Sequence, residues 1–120
     1  MYNDPLLMTM LFDFFGDLLT EKQREYYDLY HNEDLSLSEI AEKTGITRQG
    51  VYDIITRAEK SLIEIEQKTG VVGRWRESRV KLERALGIAK ELRELSGNDT
   101  VSADLAQNLV LTLEELAIGQ

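Results

Sequence analysis

"SLSEIAEKTGITRQGVYDIITRAEK", Ser36 to Lys60, sets a short periodic segment, a glycine and a longer periodic segment in a row, and its reading decides the fold. "SLSE" is a capping box: the Ser36 hydroxyl can accept the N–H three residues on, while Glu39 reaches back to the N–H of Ser36. Leu37, Ile40 and Ala41 then recur at three- and four-residue steps and face inward. Gly45, in "KTGIT", stands where a left-handed backbone is cheap only for glycine. Thr47 caps the next helix, whose stripe of Val51, Ile54, Ile55, Ala58, Leu62 and Ile65 is buried while Arg48, Gln49, Tyr52, Asp53, Thr56, Arg57 and Lys60 fall on the other side. The spacing predicts helices over 36–43 and 47–68, the second stopped by "TG".

Working outward, Thr20 opens a helix with a second capping box, "TEKQ", which carries Tyr26, Tyr27, Leu29 and Tyr30 and ends in the polar turn "HNED". Upstream, "PLLMTMLFDFFGDLL" repeats Leu6, Leu7, Met10, Leu11, Phe14, Phe15 and Leu18 at helical steps, one wide apolar face for a core or a subunit interface. Asp13 and Asp17 interrupt it, and no Lys or Arg precedes it, so it reads neither as a membrane span nor as a secretory signal. Downstream, 72–95 reads as a fifth helix entered through an irregular "VVGRW", with a seam of Leu82, Ala85, Leu86, Ala89, Leu92 and Leu95. "SGND" is a loop, and a last helix aligns Val101, Leu105, Leu109, Leu113 and Leu116. These two helices form an antiparallel hairpin with more apolar surface than either can hide in the other. The N-terminal helices or a second subunit must cover the rest, and a homodimer is the expectation. The architecture predicted is all-α, a helix-turn-helix domain over 1–70 with an N-terminal amphipathic helix, followed by a helical hairpin over 71–120.

Composition narrows the function. A chain of 120 residues with 42% hydrophobic side chains can bury a core, and the absence of cysteine removes disulfides and thiolate chemistry, as suits the cytoplasm. Nothing supplies catalytic machinery: His31 is the sole histidine, no phosphate-cradling glycine loop or metal spacing occurs, and Glu64 and Glu66 point to different helix faces. A non-enzymatic protein without cofactor or metal is expected. The net charge is −8, unevenly distributed: residues 1–35 carry −6 and 98–120 carry −4, whereas 71–97 carry +3. An anionic partner can dock on the middle and third segments.

The middle segment has the parts a DNA reader needs. A first helix braces, glycine takes the turn, and the N-terminal turns of a second helix enter a major groove about 12 Å wide. Arg48 and Gln49 suit bidentate contact with guanine and adenine, and Tyr52, Asp53, Arg57 and Lys60 share the outward face. Ser36, Ser38 and Thr47, beside helix N-termini, can hold phosphates. From Leu19 to Leu62 the chain resembles the promoter-reading C-terminal helix-turn-helix of bacterial sigma factors, in "LT…Q" leading into "SLSEIAEKTGIT…V…I…RAEKSL". More of it, from the apolar N-terminal helix through "GVVGRW", resembles the YlxM-type family of small Gram-positive helix-turn-helix proteins associated with the signal recognition particle pathway. The resemblance implies Arg48, Gln49, Tyr52 and Asp53 at the base-facing start of the recognition helix, Arg57 and Lys60 along the DNA backbone, and a regulatory role in protein targeting. Asp53, an acid where phosphate is near, departs from what such a face needs, and Glu39, Glu42 and Glu59 add to the conflict.

Two other readings compete with sequence-specific DNA binding. "GRWRESRVKLER" places Arg74, Arg76 and Arg79 around Trp75, a pairing of arginine and aromatic suited to RNA, including a signal recognition particle RNA. The plainer alternative has Trp75 sealing the junction between the halves and the arginines paired with the acidic N-terminal segment. Finally, the helix-turn-helix could dock a protein, its acids facing a basic partner such as a component of that pathway.

Overall fold

The computed structural model describes residues 4–118 and is all-α: α1 (Pro5–Phe15), α2 (Glu21–His31), α3 (Leu37–Thr44), α4 (Arg48–Thr69), α5 (Val71–Leu95) and α6 (Thr100–Ile118). The chain divides into two units, the first ending at Val72 and the second beginning at Gly73.

In the first unit every helix start is chemically marked. Asp4 accepts the N–H groups of Leu6 and Leu7, and both expected capping boxes close, Thr20 with Gln23 and Ser36 with Glu39. Two apolar clusters form the interior. Tyr26, Leu29, Ile40, Val51 and Ile55 join α2, α3 and the start of α4, whereas Met8, Leu11, Phe15, Leu19, Tyr27, Ala58, Leu62 and Val72 join α1, α2 and the later turns of α4. Helices α2 and α4 supply residues to both clusters, and Val51, Ala58 and Leu62 of α4 are wholly buried.

Tyr27 ties the second cluster together. Its ring stacks on Phe12 at 4.8 Å and on His31 at 4.1 Å, and its hydroxyl points at the Met8 carbonyl at 3.5 Å. Burial pushes this phenol well above its usual pKa, and the negative charge of Glu59 adds to the effect. His31, expected in a polar turn, is instead the last residue of α2, its Nε2 lying 2.9 Å from Glu59 Oε1 on α4. The turn itself begins after it, with Asp34 at φ 56°.

The apolar N-terminal segment departs from the expected single face. Helix α1 stops at Phe15 and a 3-10 turn, Gly16–Leu18, follows. A Cβ on Gly16 would lie 3.3 Å from the Phe12 ring, so the ring closes over the glycine where the helix ends. The buried residues are Met8, Leu11 and Phe15, while Leu6, Phe14 and Leu18 are exposed. The segment is apolar nearly all round, and periodicity cannot say which side a neighbour will take.

"VVGRW" is regular helix from Val71, not the irregular entry expected. Gly70, at φ 63°, ends α4, and Glu66 Oε1 accepts the Val72 N–H at 2.9 Å, so a carboxylate satisfies a free donor at the start of α5.

The second unit is the antiparallel hairpin of α5 and α6. Arg79 donates to the Ala117 carbonyl at 2.9 Å near one end and Arg93 to Gln107 at 2.8 Å near the other, which sets direction and register. Asp99 caps α6, and the hydroxyl and N–H of Ser102 hold its carboxyl below the usual range. The expected seams hold in part: Ala89, a member of the expected α5 seam, is buried, and Leu82, Ala85, Leu86 and Leu113 are half-buried. Ala89, Ala106 and Val110 are buried, whereas Leu92 and Leu95 on α5 and Val101, Leu105, Leu109 and Leu116 on α6 are exposed. The residues the hairpin buries fully are thus two alanines and a valine, and these six aliphatic side chains are left facing outward.

Leu62→Ala is expected to destabilise the protein by about 2–5 kcal/mol through cavity formation, and Leu6→Ala to change stability by no more than about 0.5 kcal/mol. Denaturant midpoints measured on both variants check the difference.

Candidate nucleic-acid interface

The interface is built from the turn between α3 and α4. Helix α3 ends with Thr44 donating its hydroxyl to the Ile40 carbonyl at 2.7 Å. Gly45 then takes φ 79° and ψ 12°, its N–H donating to Ala41 O at 2.9 Å. A Cβ at Gly45 would meet nothing within 4 Å, so the demand for glycine is one of backbone conformation and not of space. Ile46 packs beside Ile40, Val51 and Ile55, and Thr47 Oγ1 accepts the Gly50 N–H at 3.0 Å to start α4. A Cβ on Gly50 would lie 3.1 Å from that oxygen, so glycine there leaves room for the cap.

These constraints fix which side of α4 is bare. Val51 and Ile55 are buried, and Arg48, Gln49, Tyr52, Asp53, Arg57 and Lys60 are exposed, with Tyr52 retaining 44% of its surface. Arg48, Gln49, Tyr52 and Asp53 occupy the first two turns, Arg57 and Lys60 the next two. Ser36 and Ser38 are exposed at the start of α3. The Ser36 and Thr47 oxygens are already accepting cap hydrogen bonds, which leaves their O–H groups as the donors an anion could use.

Asp53 is not an isolated acid on this surface. Its Oδ1 accepts from Gln49 Nε2 at 3.0 Å. One Gln49 amide hydrogen is thereby occupied and the side chain is held along the helix, leaving its carbonyl and second N–H outward, while the Asp53 carboxylate remains an acceptor suited to an amino group such as cytosine N4. The four-residue spacing on a helix contained this pairing, though only the folded face showed it in use. The His31–Glu59 contact, between residues 28 apart in sequence, carried no local signal and holds α2 against the middle of α4.

The arginines of the second unit divide. Arg74 and Arg76 are exposed, and Trp75 is half-buried. Arg79 sits 5.8 Å from the Trp75 ring centroid, reaches Glu83 at 3.8 Å and donates to Ala117 O. These partners all belong to the hairpin. Among the described residues no cluster of His, Cys, Asp and Glu has the arrangement of a metal site, and no helix is long and apolar enough to cross a membrane.

A family model described as "Putative helix-turn-helix protein, YlxM / p13 like" matches residues 2–98. The chain belongs to this family, UPF0122. A UPF0122 protein of Thermoanaerobacter sp. (strain X514) is 42% identical over 116 residues, covering 97% of this chain and 98% of the relative. One from Acetivibrio thermocellus is 39% identical over 109 residues, 89% of this chain and 91% of its own. A Clostridium kluyveri relative reaches 58% identity over a shorter span of 52 residues, 43% of this chain and 47% of that protein. The helix-turn-helix of α3 and α4 agrees with the family's description.

Gly45→Val is expected to lower stability by about 1–2 kcal/mol, the cost of placing a side-chain-bearing residue in the left-handed region, with Gly45→Asn losing less. Thermal melts of the two variants beside the wild type test this. Equal melting temperatures for all three would refute the conformational demand.

Proposed function

We propose that this UPF0122 protein is a sequence-specific DNA-binding regulator acting in the cytoplasm in connection with the signal recognition particle pathway, with α4 as its recognition helix and two copies presenting paired heads. The observation that carries this reading is the division of α4. Val51 and Ile55 anchor one side in the core while Arg48, Gln49, Tyr52 and Asp53 stand exposed on the first turns after a glycine turn. In that geometry Arg48, Gln49 and Asp53 supply donors and acceptors for base edges, and Ser36, Ser38 and Thr47 at helix starts, with Arg57 and Lys60 further along, supply phosphate contacts. The net charge of −8 limits the non-specific part of binding, which is phosphate neutralisation, so discrimination must come from base contacts and from pairing two heads on adjacent half-sites.

One observation favours a second reading. Arg74 and Arg76 stand exposed on either side of half-buried Trp75, an arrangement that suits a structured RNA. With Arg79 held inside the hairpin, that basic group is smaller than the sequence suggests.

Selection of bound duplexes from a random pool tests the proposal. A defined sequence should be enriched, and Arg48→Ala and Gln49→Ala should each cost about 1–3 kcal/mol on it while barely affecting random DNA. Lys60→Ala should weaken both alike and reduce the salt slope by about 0.9, one phosphate's share. Enrichment of nothing, together with RNA binding that is lost in Arg74→Ala/Arg76→Ala, would replace this proposal with the RNA reading.

A further inference from the structure

The hairpin leaves an apolar face uncovered. Ile88 and Leu92 on α5 and Val101, Leu105, Leu109 and Leu116 on α6 keep between 45% and 68% of their surface. They do not scatter. Leu92 from one helix and Leu105 and Leu109 from the other wall a single groove floored by Ala106, and the α6 residues repeat at the steps that align side chains along one helix face. Together they offer on the order of 500 Å² of apolar surface, the size of patch that marks an interaction site.

Charge says what covers it. Helix α5 is the basic arm of the hairpin, with seven Lys and Arg against four Glu, and its Arg74, Lys81 and Arg84 continue toward the N-terminal end the face that carries Ile88 and Leu92, whereas α6 contains Asp104, Glu114 and Glu115 and no Lys or Arg. The hairpin is thus polarised across its width, positive on one helix and negative on the other. A partner must match an apolar centre and two opposite flanks in opposite order. A second copy turned by a two-fold axis along the hairpin does so, because it sets each α5 beside the partner's α6. Anionic lipid, by contrast, would be repelled by α6.

We propose that the outward faces of two hairpins pack on one another to form an antiparallel four-helix bundle, each basic α5 beside the acidic α6 of the second copy. The two bonds that fix the hairpin register, Arg79 to Ala117 and Arg93 to Gln107, also fix the heights of the flanks. With the two-fold axis along the bundle, Leu92 lies level with the partner's Leu105, and Lys81 and Arg84 lie level with the partner's Glu114 and Glu115. The apolar patch forms the centre of an interface near the ordinary size of about 800 Å² per partner, and the charged flanks form its rim. This deepens the paired-head reading by naming its interface, yet it stands without DNA.

The test uses the full chain with no nucleic acid present, so its outcome is independent of the DNA proposal. Light scattering on a size-exclusion column at tens of micromolar should give twice the chain mass of 13.8 kDa. Leu105→Glu/Leu109→Glu should give the monomer mass, and Leu6→Glu/Leu18→Glu, on the exposed side of the first unit, should remain dimeric. Circular dichroism of each variant guards against simple unfolding. Charge reversal then tests the arrangement. Lys81→Glu/Arg84→Glu and Glu114→Lys/Glu115→Lys should each weaken self-association about tenfold or more, and an equimolar mixture of the two should restore dimers containing one of each. A monomeric wild type overturns the proposal, whether the face is covered by the chain's own first unit or by nothing. Failure of the mixture to recover, with both variants helical, overturns the pairing of α5 with the partner's α6.

Discussion

One helix has to serve two surfaces at once. The side of α4 that carries Val51, Ile55, Ala58 and Leu62 is the seam on which both interior clusters of the first unit close, and its first turns carry the exposed polar face on the opposite side. Rotating α4 by even one residue would put Tyr52 toward the interior and Val51 toward solvent, so the packing that stabilises the domain is also what aims Arg48, Gln49 and Asp53 outward. Everything around α4 serves that orientation. Gly45 sets the angle at which it leaves α3, Thr47 and Gly50 mark where it begins, and the contact of His31 with Glu59 holds its middle turns to α2.

The acidity of the chain bears on this face differently from the way composition alone implies. Much of the negative charge lies in residues 1–35 and 98–120. On α4 itself three of the four acids are engaged: Glu59 faces His31, Glu66 caps the start of α5 and Asp53 orients Gln49. An acid that binds a neighbour still carries its charge, but it also spends its acceptor capacity on local order. The result is a face whose donors and acceptors are held in place, which favours discrimination over general affinity for a polyanion.

The second unit follows another logic. Its fully buried residues are Ala89, Ala106 and Val110, while Leu92, Leu95, Leu105, Leu109 and Leu116 are exposed. These five leucines are left for contact of another kind.

The local features were legible in the residues. Capping boxes at Thr20 and Ser36, the left-handed glycine at 45, the cap at Thr47 and the buried stripe of α4 each follow from interactions within a few residues, so the helix starts, the turn and the outward identity of Arg48, Gln49 and Tyr52 could be read without coordinates. What depended on neighbours distant in sequence could not. In α1 nearly every side is apolar, and only contact with Tyr27 and Leu62 chose Met8, Leu11 and Phe15 over Leu6 and Leu18. In the hairpin the leucine periodicity was real, but it could not say which of its members would be covered: Ala89 is buried and Leu92 and Leu95 are exposed. The carboxylate of Glu66 made a regular helix start of "VVGRW", and the pairing of His31 with Glu59 crossed 28 positions. The sequence by itself determined where α2, α3 and α4 begin and which residues the turn exposes, because caps and glycine conformation are local. Only the tertiary structure decided which of several apolar faces is buried, because that choice is made by the shape of the partner surface.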